Sequence, residues 1–86
     1  MSSNETVSVD LEDIRVVIAD ELELPVEEVA DDADLKTDLE MDSLAAMEIA
    51  VQLEKKYQIK LEEEEIKSLT SPAAIHRIVS TKVETA

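Results

Sequence analysis

The apolar residues of segment 43–57 constrain the fold more than any other feature of this 86-residue chain. They recur three or four positions apart and fall on one side of a helical wheel: Ala46, Ile49, Ala50, Leu53 and Tyr57. A half-buried strand would instead alternate apolar and polar residues. The segment is therefore predicted to be an amphipathic helix that begins at Ser43 and ends near Tyr57.

Three further segments show the same helical spacing. A first helix is predicted from residue 8 or 9 to residue 22 or 23, with Ser8 as its N-cap and Pro25 ending it. A short third helix is predicted where the acidic run 62–65 meets apolar residues, and a fourth starts at residue 70 or 71 with Pro72 in its first helical position. We therefore expect an all-α protein, a four-helix bundle with a long loop between helices 1 and 2 and a short third helix.

Residues 24–42 form the long loop, and a loop of this length in a small domain is commonly functional or disordered. Its apolar residues recur at intervals that would hold it against the core: Val26, Val29, Leu35 and Leu39. We expect an ordered loop with a short turn near residues 26–29.

Six acidic residues of this loop raise the question of a calcium site. They are Asp31, Asp32, Asp34, Asp38, Glu40 and Asp42. An EF-hand needs an oxygen ligand at its fifth position, glycine at its sixth and glutamate at its twelfth. If the motif is counted from Asp32, its fifth, sixth and twelfth positions are Lys36, Thr37 and Ser43, and none of them is the required residue. No metal site is therefore assigned, whereas loose binding of divalent cations that relieves charge repulsion stays open.

The core is expected to consist of aliphatic side chains, because Tyr57 is the only aromatic residue in the chain. There is no cysteine, which excludes a disulfide framework and suits a reducing compartment. The N-terminal residues lack the basic and apolar regions of a signal peptide, and no apolar run is long enough to span a bilayer. We expect one domain over 1–86 with flexible tails at about 1–7 and 84–86, a cytoplasmic location and no membrane insertion.

The net charge of -14 is concentrated in one half of the chain. Residues 1–48 hold sixteen Asp and Glu against Arg15 and Lys36, whereas residues 49–86 hold six acids and six bases. This field should attract basic protein surfaces and repel nucleic acid. Acidic bundles are common, however, and general solubility explains the total charge equally well.

Ser43 stands where a loop gives way to a helix, so its hydroxyl is expected at the positive end of the helix dipole. An anion attached to it would be favoured by roughly 0.3–1 kcal/mol. The ordinary interpretation is that Ser43 is the N-cap residue.

Catalysis by serine needs a base, and His76, the only histidine, falls off the apolar stripe of the fourth helix and is expected to face solvent without a partner. We therefore do not expect an enzyme.

Leu44, Met47 and Val51 form a second apolar lobe on the second helix, next to Glu48. One helix of a small bundle cannot easily bury both lobes. Leu44 and Met47 are therefore predicted to form a partly exposed docking patch, and methionine suits contacts that must adapt to several surfaces. For Val51, burial and exposure both stay open.

The motif Asp-Leu-x-x-Asp-Ser-Leu at residues 38–44, with an amphipathic helix on each side, resembles the phosphopantetheine attachment region of acyl carrier proteins. The resemblance extends over about residues 7–83 in helix order, loop lengths and charge. It implies that a separate phosphopantetheinyl transferase attaches 4′-phosphopantetheine from coenzyme A to Ser43. The thiol of that arm would then hold acyl groups as thioesters.

Carried over by position, the resemblance also implies roles for other residues. Asp42 flanks the attachment site. The surface that docks to basic patches of the transferase, acyltransferase and synthase enzymes would consist of Asp38, Leu44, Met47 and Glu48. The residues that would shelter an acyl chain lie between the second and third helices: Leu53, Leu61, Ile66 and Leu69. Core packing explains those four equally well, and a monomer is expected.

Three positions depart from the family pattern. Glu40 stands where the family usually has glycine, and glutamate does not easily adopt a positive φ, so a different loop geometry is expected. Ala45 stands where an acidic residue is common, and Lys55 lies on a face that is acidic in typical fatty-acid carriers. These differences favour a specialised carrier in fatty acid, polyketide or related lipid synthesis.

Three alternatives stay open. The chain could be a peptidyl or D-alanyl carrier protein, which shares the thioester chemistry. It could be an unmodified acidic bundle that binds a partner through Leu44 and Met47. It could also be a buffer for divalent metal ions.

Overall fold

The computed structural model describes residues 9–85, a range that contains helices and no strand. Its α-helices follow one another along the chain: α1 (Leu11–Leu22), α2 (Ser43–Tyr57), α3 (Glu63–Lys67) and α4 (Pro72–Thr85). The predicted all-α class, the bounds of the second helix and the short third helix are confirmed. The predicted tail at 1–7 lies outside the described residues.

The start of α1 differs from the prediction. Asp10 is the N-cap residue, and its Oδ1 accepts the backbone N–H of Glu12 at 3.0 Å, so the helix begins at Leu11 and not near Ser8. Asp caps a helix as well as Ser does, and apolar spacing cannot separate two good caps that lie so close in sequence. The end at Leu22 is as predicted, because Glu23 leaves the helix with a left-handed φ of 58°.

The core is aliphatic, as the composition predicted. α1 packs against α2 and α4, and α2 also contacts α3 and α4. The fully buried side chains come from the helices and the long loop: Ile14, Ile18, Val29, Leu35, Ile49, Leu53, Ile75 and Val79. Within residues 9–85 no polar or charged residue is buried, and no helix has the length and apolar character needed to cross a bilayer.

The loop between α1 and α2 is ordered against the core, as predicted. Val29 and Leu35 are fully buried, while Val26 and Leu39 are half-buried against the same core. The turn expected near residues 26–29 is a 3₁₀ turn at Val26–Glu28.

Arg15 ties this loop to α1. Its Nε donates to the carbonyl oxygen of Val29 at 2.6 Å, and its Nη2 donates to that of Val26 at 2.8 Å. The carboxylate of Glu12 accepts from Nη1 at 2.6 Å. Carbonyl groups in a turn need partners, and a half-buried guanidinium with several rigid donors supplies two of them at once. Arg15 therefore fixes the course of the loop over α1.

The far side of the loop is bonded to the chain at the start of α4. The N–H of Leu35 donates to the carbonyl oxygen of Thr70 at 2.9 Å, and the N–H of Ala73 donates to that of Asp31 at 2.9 Å. The segment that leads to Ser43 is thus held on two sides.

The last two helices have well-defined starts. Glu62 and Glu65 form a capping box at the start of α3. At the start of α4, Ser71 Oγ accepts the N–H of Ala74 at 3.1 Å, and Pro72 is the first helical residue, as predicted. α4 continues through residues 84 and 85, where the sequence suggested a fraying tail.

His76 is not the solvent-facing residue without a partner that the sequence suggested. Its side chain is half-buried, and its Nε2 lies 2.8 Å from the carbonyl oxygen of Val9, just before α1. A helical wheel of α4 shows which face carries the apolar stripe, but it cannot show that another segment crosses the polar face. His76 therefore joins the start of α1 to α4.

Candidate functional site

The residue before Ser43 caps α2. Asp42 has an extended backbone conformation, and its Oδ1 accepts the N–H of Ala45 at 2.8 Å. The interpretation of Ser43 as the N-cap is therefore wrong, and Ser43 is the first helical residue. Two good capping residues stand side by side in the sequence, and the carboxylate makes the stronger, charge-assisted bond.

The Ser43 side chain is exposed, and no hydrogen bond occupies its hydroxyl within residues 9–85. Because Asp42 does the capping, this oxygen is open to an external enzyme. It lies in the first turn of a fifteen-residue helix, where the backbone N–H groups have no helical partner. Unlike α1 and α3, α2 has no acidic residue in its first turn, so an anion attached here would meet the positive end of the dipole.

Local hydrogen bonds shape the loop that leads to Ser43. Asp34 Oδ1 accepts the N–H of Lys36 at 3.1 Å, and Asp38 Oδ2 accepts the N–H of Asp34 at 3.0 Å. Asp38, the predicted docking acid, thus supports the loop while its side chain stays exposed. Within residues 9–85, no group of three or more His, Cys, Asp or Glu side chains is arranged to hold a metal ion.

Glu40 adopts the conformation that the sequence analysis did not expect of it. Its φ is 57°, in the left-handed region that glycine enters at the lowest cost. The following residue explains why: Met41 is buried, and its N–H donates to the carbonyl oxygen of Leu35 at 2.9 Å. The contacts of Met41 fix the backbone there, and Glu40 takes the strained conformation. The prediction that glutamate at position 40 would avoid a positive φ, and so change the loop geometry, is therefore wrong.

An exposed apolar patch lies beside Ser43 on α2. It consists of Leu44, Met47 and Val51, whose exposed fractions are 66%, 50% and 42%. On the opposite side of the same helix, Ile49 and Leu53 are fully buried. The predicted exposure of Leu44 and Met47 is confirmed, and the open question for Val51 is answered by exposure.

Glu48 borders the apolar patch and contacts α1. A hydrogen bond between the side chains of Glu21 and Glu48 raises the pKa of Glu21, and partial burial and the negative charges around it act in the same direction. Two carboxylates this close repel each other when both are ionised. The site therefore keeps a cluster of negative charge next to exposed apolar side chains.

A cavity of about 300 Å³ opens between α2 and α3 at Ser43. Its apolar lining comes from Met41, Ala46, Met47, Ile66 and Leu69. Polar groups also line it: Lys36, Asp42, Ser43, Glu63, Lys67 and Thr70. The Ser43 hydroxyl and a partly apolar hollow thus share one surface.

The cavity includes two of the four residues predicted to shelter an acyl chain. Ile66 and Leu69 line it, whereas Leu53 and Leu61 are buried in the core and do not. Sequence reasoning did not assign Met41 or Ala46 to the cavity. The periodicity of residues 43–57 places Ala46 on the apolar face of α2, whereas Met41 precedes the helix and has no periodic signal. No sequence signal points to Lys36 and Lys67, because the tertiary fold brings them together.

Three features of the site fit a phosphopantetheine arm. The hydroxyl is exposed, it lies at the positive end of a helix dipole, and a cavity of small-molecule size adjoins it. Ser43 would hold the arm covalently, and the cavity side chains would contact it.

Comparison with known proteins agrees with this geometry. Residues 12–79 match the PP-binding family, described as "Phosphopantetheine attachment site". The chain is 43% identical over 83 residues to "Polyketide-8 synthase acyl carrier protein 2" of Streptomyces avermitilis, which covers 96% of this chain and 95% of that protein. It is 32% identical over 73 residues to an acyl carrier protein of Exiguobacterium sp., covering 85% of this chain and 92% of that protein. An acyl carrier protein of Streptomyces coelicolor is 37% identical over 62 residues, or 71% of this chain and 67% of that protein. The chain therefore belongs to the phosphopantetheine-binding family of acyl carrier proteins, whose prosthetic group is a covalently attached 4′-phosphopantetheine.

Proposed function

We propose that Ser43 is the attachment residue and that the protein delivers acyl groups to the enzymes of a dedicated polyketide-type pathway. The observation that carries this proposal is the Ser43 hydroxyl, which is exposed, free of hydrogen bonds within residues 9–85 and next to both the cavity and the apolar patch. The protein itself catalyses no step in this role.

The chain's own residues position the tether. Asp42 fixes the first turn of α2 by capping it, so the direction of the Ser43 side chain is set by a rigid helix and not by a loop. Asp42 accepts the N–H of Ala45, and the N–H groups of Ser43 and Leu44 in the same turn stabilise negative charge at the attachment point. When bound, the arm supplies the thiol that the sequence lacks, and this thiol holds acyl groups as thioesters.

Docking is assigned to the surface around Ser43. The carboxylates of Asp38 and Glu48 would steer basic surfaces of the phosphopantetheinyl transferase, acyltransferase and synthase enzymes towards the site. The exposed Leu44 and Met47 then supply apolar contact area at the centre of the interface. Val51 extends the same patch and joins this assignment. We propose that the protein acts as a cytoplasmic monomer.

Two observations favour a polyketide pathway over housekeeping fatty acid synthesis. The relative from Streptomyces avermitilis, which carries polyketide synthase in its name, matches nearly the whole chain. In the resemblance drawn from the sequence, Ala45 also stands where an acidic residue is common, and Lys55 lies on a face that is acidic in typical fatty-acid carriers, which changes the charge that a partner would meet on α2. A peptidyl or D-alanyl carrier remains the alternative within thioester chemistry.

The test is a mass measurement on intact protein. The parent chain, Ser43→Ala and the matched control Ser68→Ala are incubated with coenzyme A and a broad-specificity phosphopantetheinyl transferase. We expect the parent and the control to gain one phosphopantetheine and Ser43→Ala to gain none. No gain in the parent, under conditions that modify a known carrier, would contradict the proposal and favour an unmodified interaction bundle.

A further inference from the structure

Two lysines stand at the cavity beside Ser43. Lys36 comes from the loop before α2, and Lys67 is the last residue of α3. Both side chains are exposed, and both line a cavity whose other walls are largely apolar. They reach this cavity from segments that are distant in sequence.

Neither lysine is paired with an acid. The ion pairs within residues 9–85 join Arg15 to Glu12, Arg15 to Asp31, and Lys82 to Glu65. Asp42 and Glu63 line the same cavity, yet the structure shows no pair within 4.0 Å that includes Lys36 or Lys67 in the described part of the chain. The two ammonium groups are therefore available to another anion.

Lys36 is also exceptional in its half of the chain. Residues 1–48 contain only two basic residues, Arg15 and Lys36, among sixteen acids. Arg15 is occupied by Glu12 and by the carbonyl oxygens of Val26 and Val29. The one remaining cation of this half thus lies at the cavity next to Ser43.

The acidic surroundings determine how these two lysines would affect a bound anion. A carboxylate brought into the acidic half of the protein would be repelled, and its protonated form would be favoured. Lys36 and Lys67 oppose this effect locally, although Asp42 and Glu63 line the same cavity and both lysines are exposed, so the contact is screened by solvent and its expected effect is modest. The cavity volume of about 300 Å³ is at the lower end for small-molecule sites, which favours a short occupant.

We propose that Lys36 and Lys67 hold the carboxylate of a short carboxyacyl cargo in the cavity beside Ser43. This inference rests on the proposed function, since the cargo reaches the cavity on the arm attached to Ser43. The lysines determine which cargo is sheltered: a short acyl group that ends in a carboxylate is retained, and a neutral group of the same shape is held less well.

The test measures how Lys36 and Lys67 change the pKa of the cargo carboxylate. The parent chain is loaded from malonyl coenzyme A that carries ¹³C in its free carboxylate, and the carboxyl pKa is determined by NMR titration. The same titration is made on Lys36→Gln/Lys67→Gln and on the control Lys55→Gln/Lys60→Gln, which removes the same total charge away from the cavity. We expect a carboxyl pKa that is higher in the cavity variant than in the parent, by a few tenths of a unit to about one unit, and unchanged in the control.

A second measurement compares the malonyl group with the neutral acetoacetyl group, in which a methyl replaces the charged oxygen. Backbone ¹H–¹⁵N resonances of Ala46, Ile66 and Leu69 are expected to move on malonyl loading of the parent, and to move less with acetoacetyl or in the cavity variant. Circular dichroism checks that both variants retain the helical fold, as expected for exposed lysines.

Each outcome decides the matter. If the parent is loaded but its carboxyl pKa equals that of the cavity variant, the inference is overturned and the proposed function stands. If the ³¹P resonance of the arm without cargo moves in the cavity variant while the carboxyl pKa does not, the lysines bind the phosphodiester and the inference is again overturned. If the parent takes no arm at Ser43, the proposed function and this inference fall together.

Discussion

The two halves of the chain treat charge in opposite ways. Up to Glu48 the acids far outnumber the bases, and the side chains of Glu21 and Glu48 lie against each other. Beyond Glu48 acids and bases are equal in number, and Glu65 is paired with Lys82 at 2.9 Å. The acidic half leaves its charge largely uncompensated, whereas in the balanced half one ion pair joins α3 to α4.

α2 crosses this division and shows the same contrast within one helix. Leu44, near its start, has 66% of its surface exposed, while Leu53, in its later part, is fully buried. Two leucines on the same helix thus lie in different surroundings. The start of α2 leaves apolar surface exposed, where docking is proposed, and the later part is packed into the core.

The strongest test of this contrast replaces each of these leucines by alanine. Leu53→Ala should lower the free energy of unfolding by about 2–5 kcal/mol, because it removes buried methyl groups and leaves a cavity. Leu44→Ala should change it by less than about 0.5 kcal/mol, since the side chain is largely exposed. Urea denaturation measures both values. Binding to the transferase should weaken for Leu44→Ala; equal unfolding penalties for the two variants would break the comparison.

A second pair of substitutions compares the backbone of the two halves. Glu40 and Gln58 both have a φ of 57°, in a chain that contains no glycine. A residue with a Cβ atom destabilises the fold by roughly 1–2 kcal/mol when it adopts this left-handed conformation. Replacing it by glycine removes this cost, but part of the gain in stability is offset because glycine also increases the conformational entropy of the unfolded chain. Glu40→Gly and Gln58→Gly should each stabilise the fold by about 0.5–1 kcal/mol in thermal or urea unfolding.

The alanine variants at the same positions are the controls, because they change the side chain but keep the Cβ atom. Equal gains for the two glycine variants would show that the halves differ in charge and not in backbone strain. A stabilisation by Glu40→Ala as large as that by Glu40→Gly would show that the charge of Glu40, and not its φ, is what costs stability.

The smallest expected effects concern pH. The hydrogen bond with Glu48 raises the pKa of Glu21, so its contribution to stability is present below the ordinary glutamate pKa and is lost as pH rises through the raised value. The hydrogen bond from the Glu62 backbone and the pairing with Lys82 lower the pKa of Glu65. Its contribution is therefore present above the ordinary pKa and is lost as pH falls through the lowered value.

Two glutamine variants should reveal these opposite signs. As pH falls from about 7 to about 3, the parent should gain stability relative to Glu21→Gln and lose stability relative to Glu65→Gln. Both differences should be small and should shrink in high salt, since these groups are near the surface. Urea unfolding at a series of pH values measures them, and slopes of the same sign would contradict the assignment.

Much of the fold follows from apolar spacing. The periodicity of residues 43–57 predicts the bounds of α2, and the spacing of Val29 and Leu35 predicts a loop held against the core; both are confirmed. Spacing succeeds here because helix and loop each bury one regular set of aliphatic side chains. It fails at helix starts, where Asp10 and Asp42 act as caps in place of the expected serines, because closely placed caps differ only in hydrogen-bond geometry.

The site was predictable to a lesser degree. The sequence indicates the hydroxyl of Ser43 and the exposure of Leu44 and Met47, because these are local properties of one helix. It could not indicate that Lys36 and Lys67 meet at a cavity. Contacts of this kind depend on how segments that are distant in sequence pack against each other. The contact between His76 and Val9, which lie 67 positions apart, is another example.

The bonds that join the loop before Ser43 to the start of α4 have a consequence for chains still under synthesis. Leu35 and Thr70, and likewise Asp31 and Ala73, lie far apart in sequence, so these bonds form only when most of the polypeptide has left the ribosome. A nascent or truncated polypeptide that ends before Thr70 therefore lacks both bonds. A modifying enzyme that reads the shape of this loop would act on finished molecules and pass over incomplete ones.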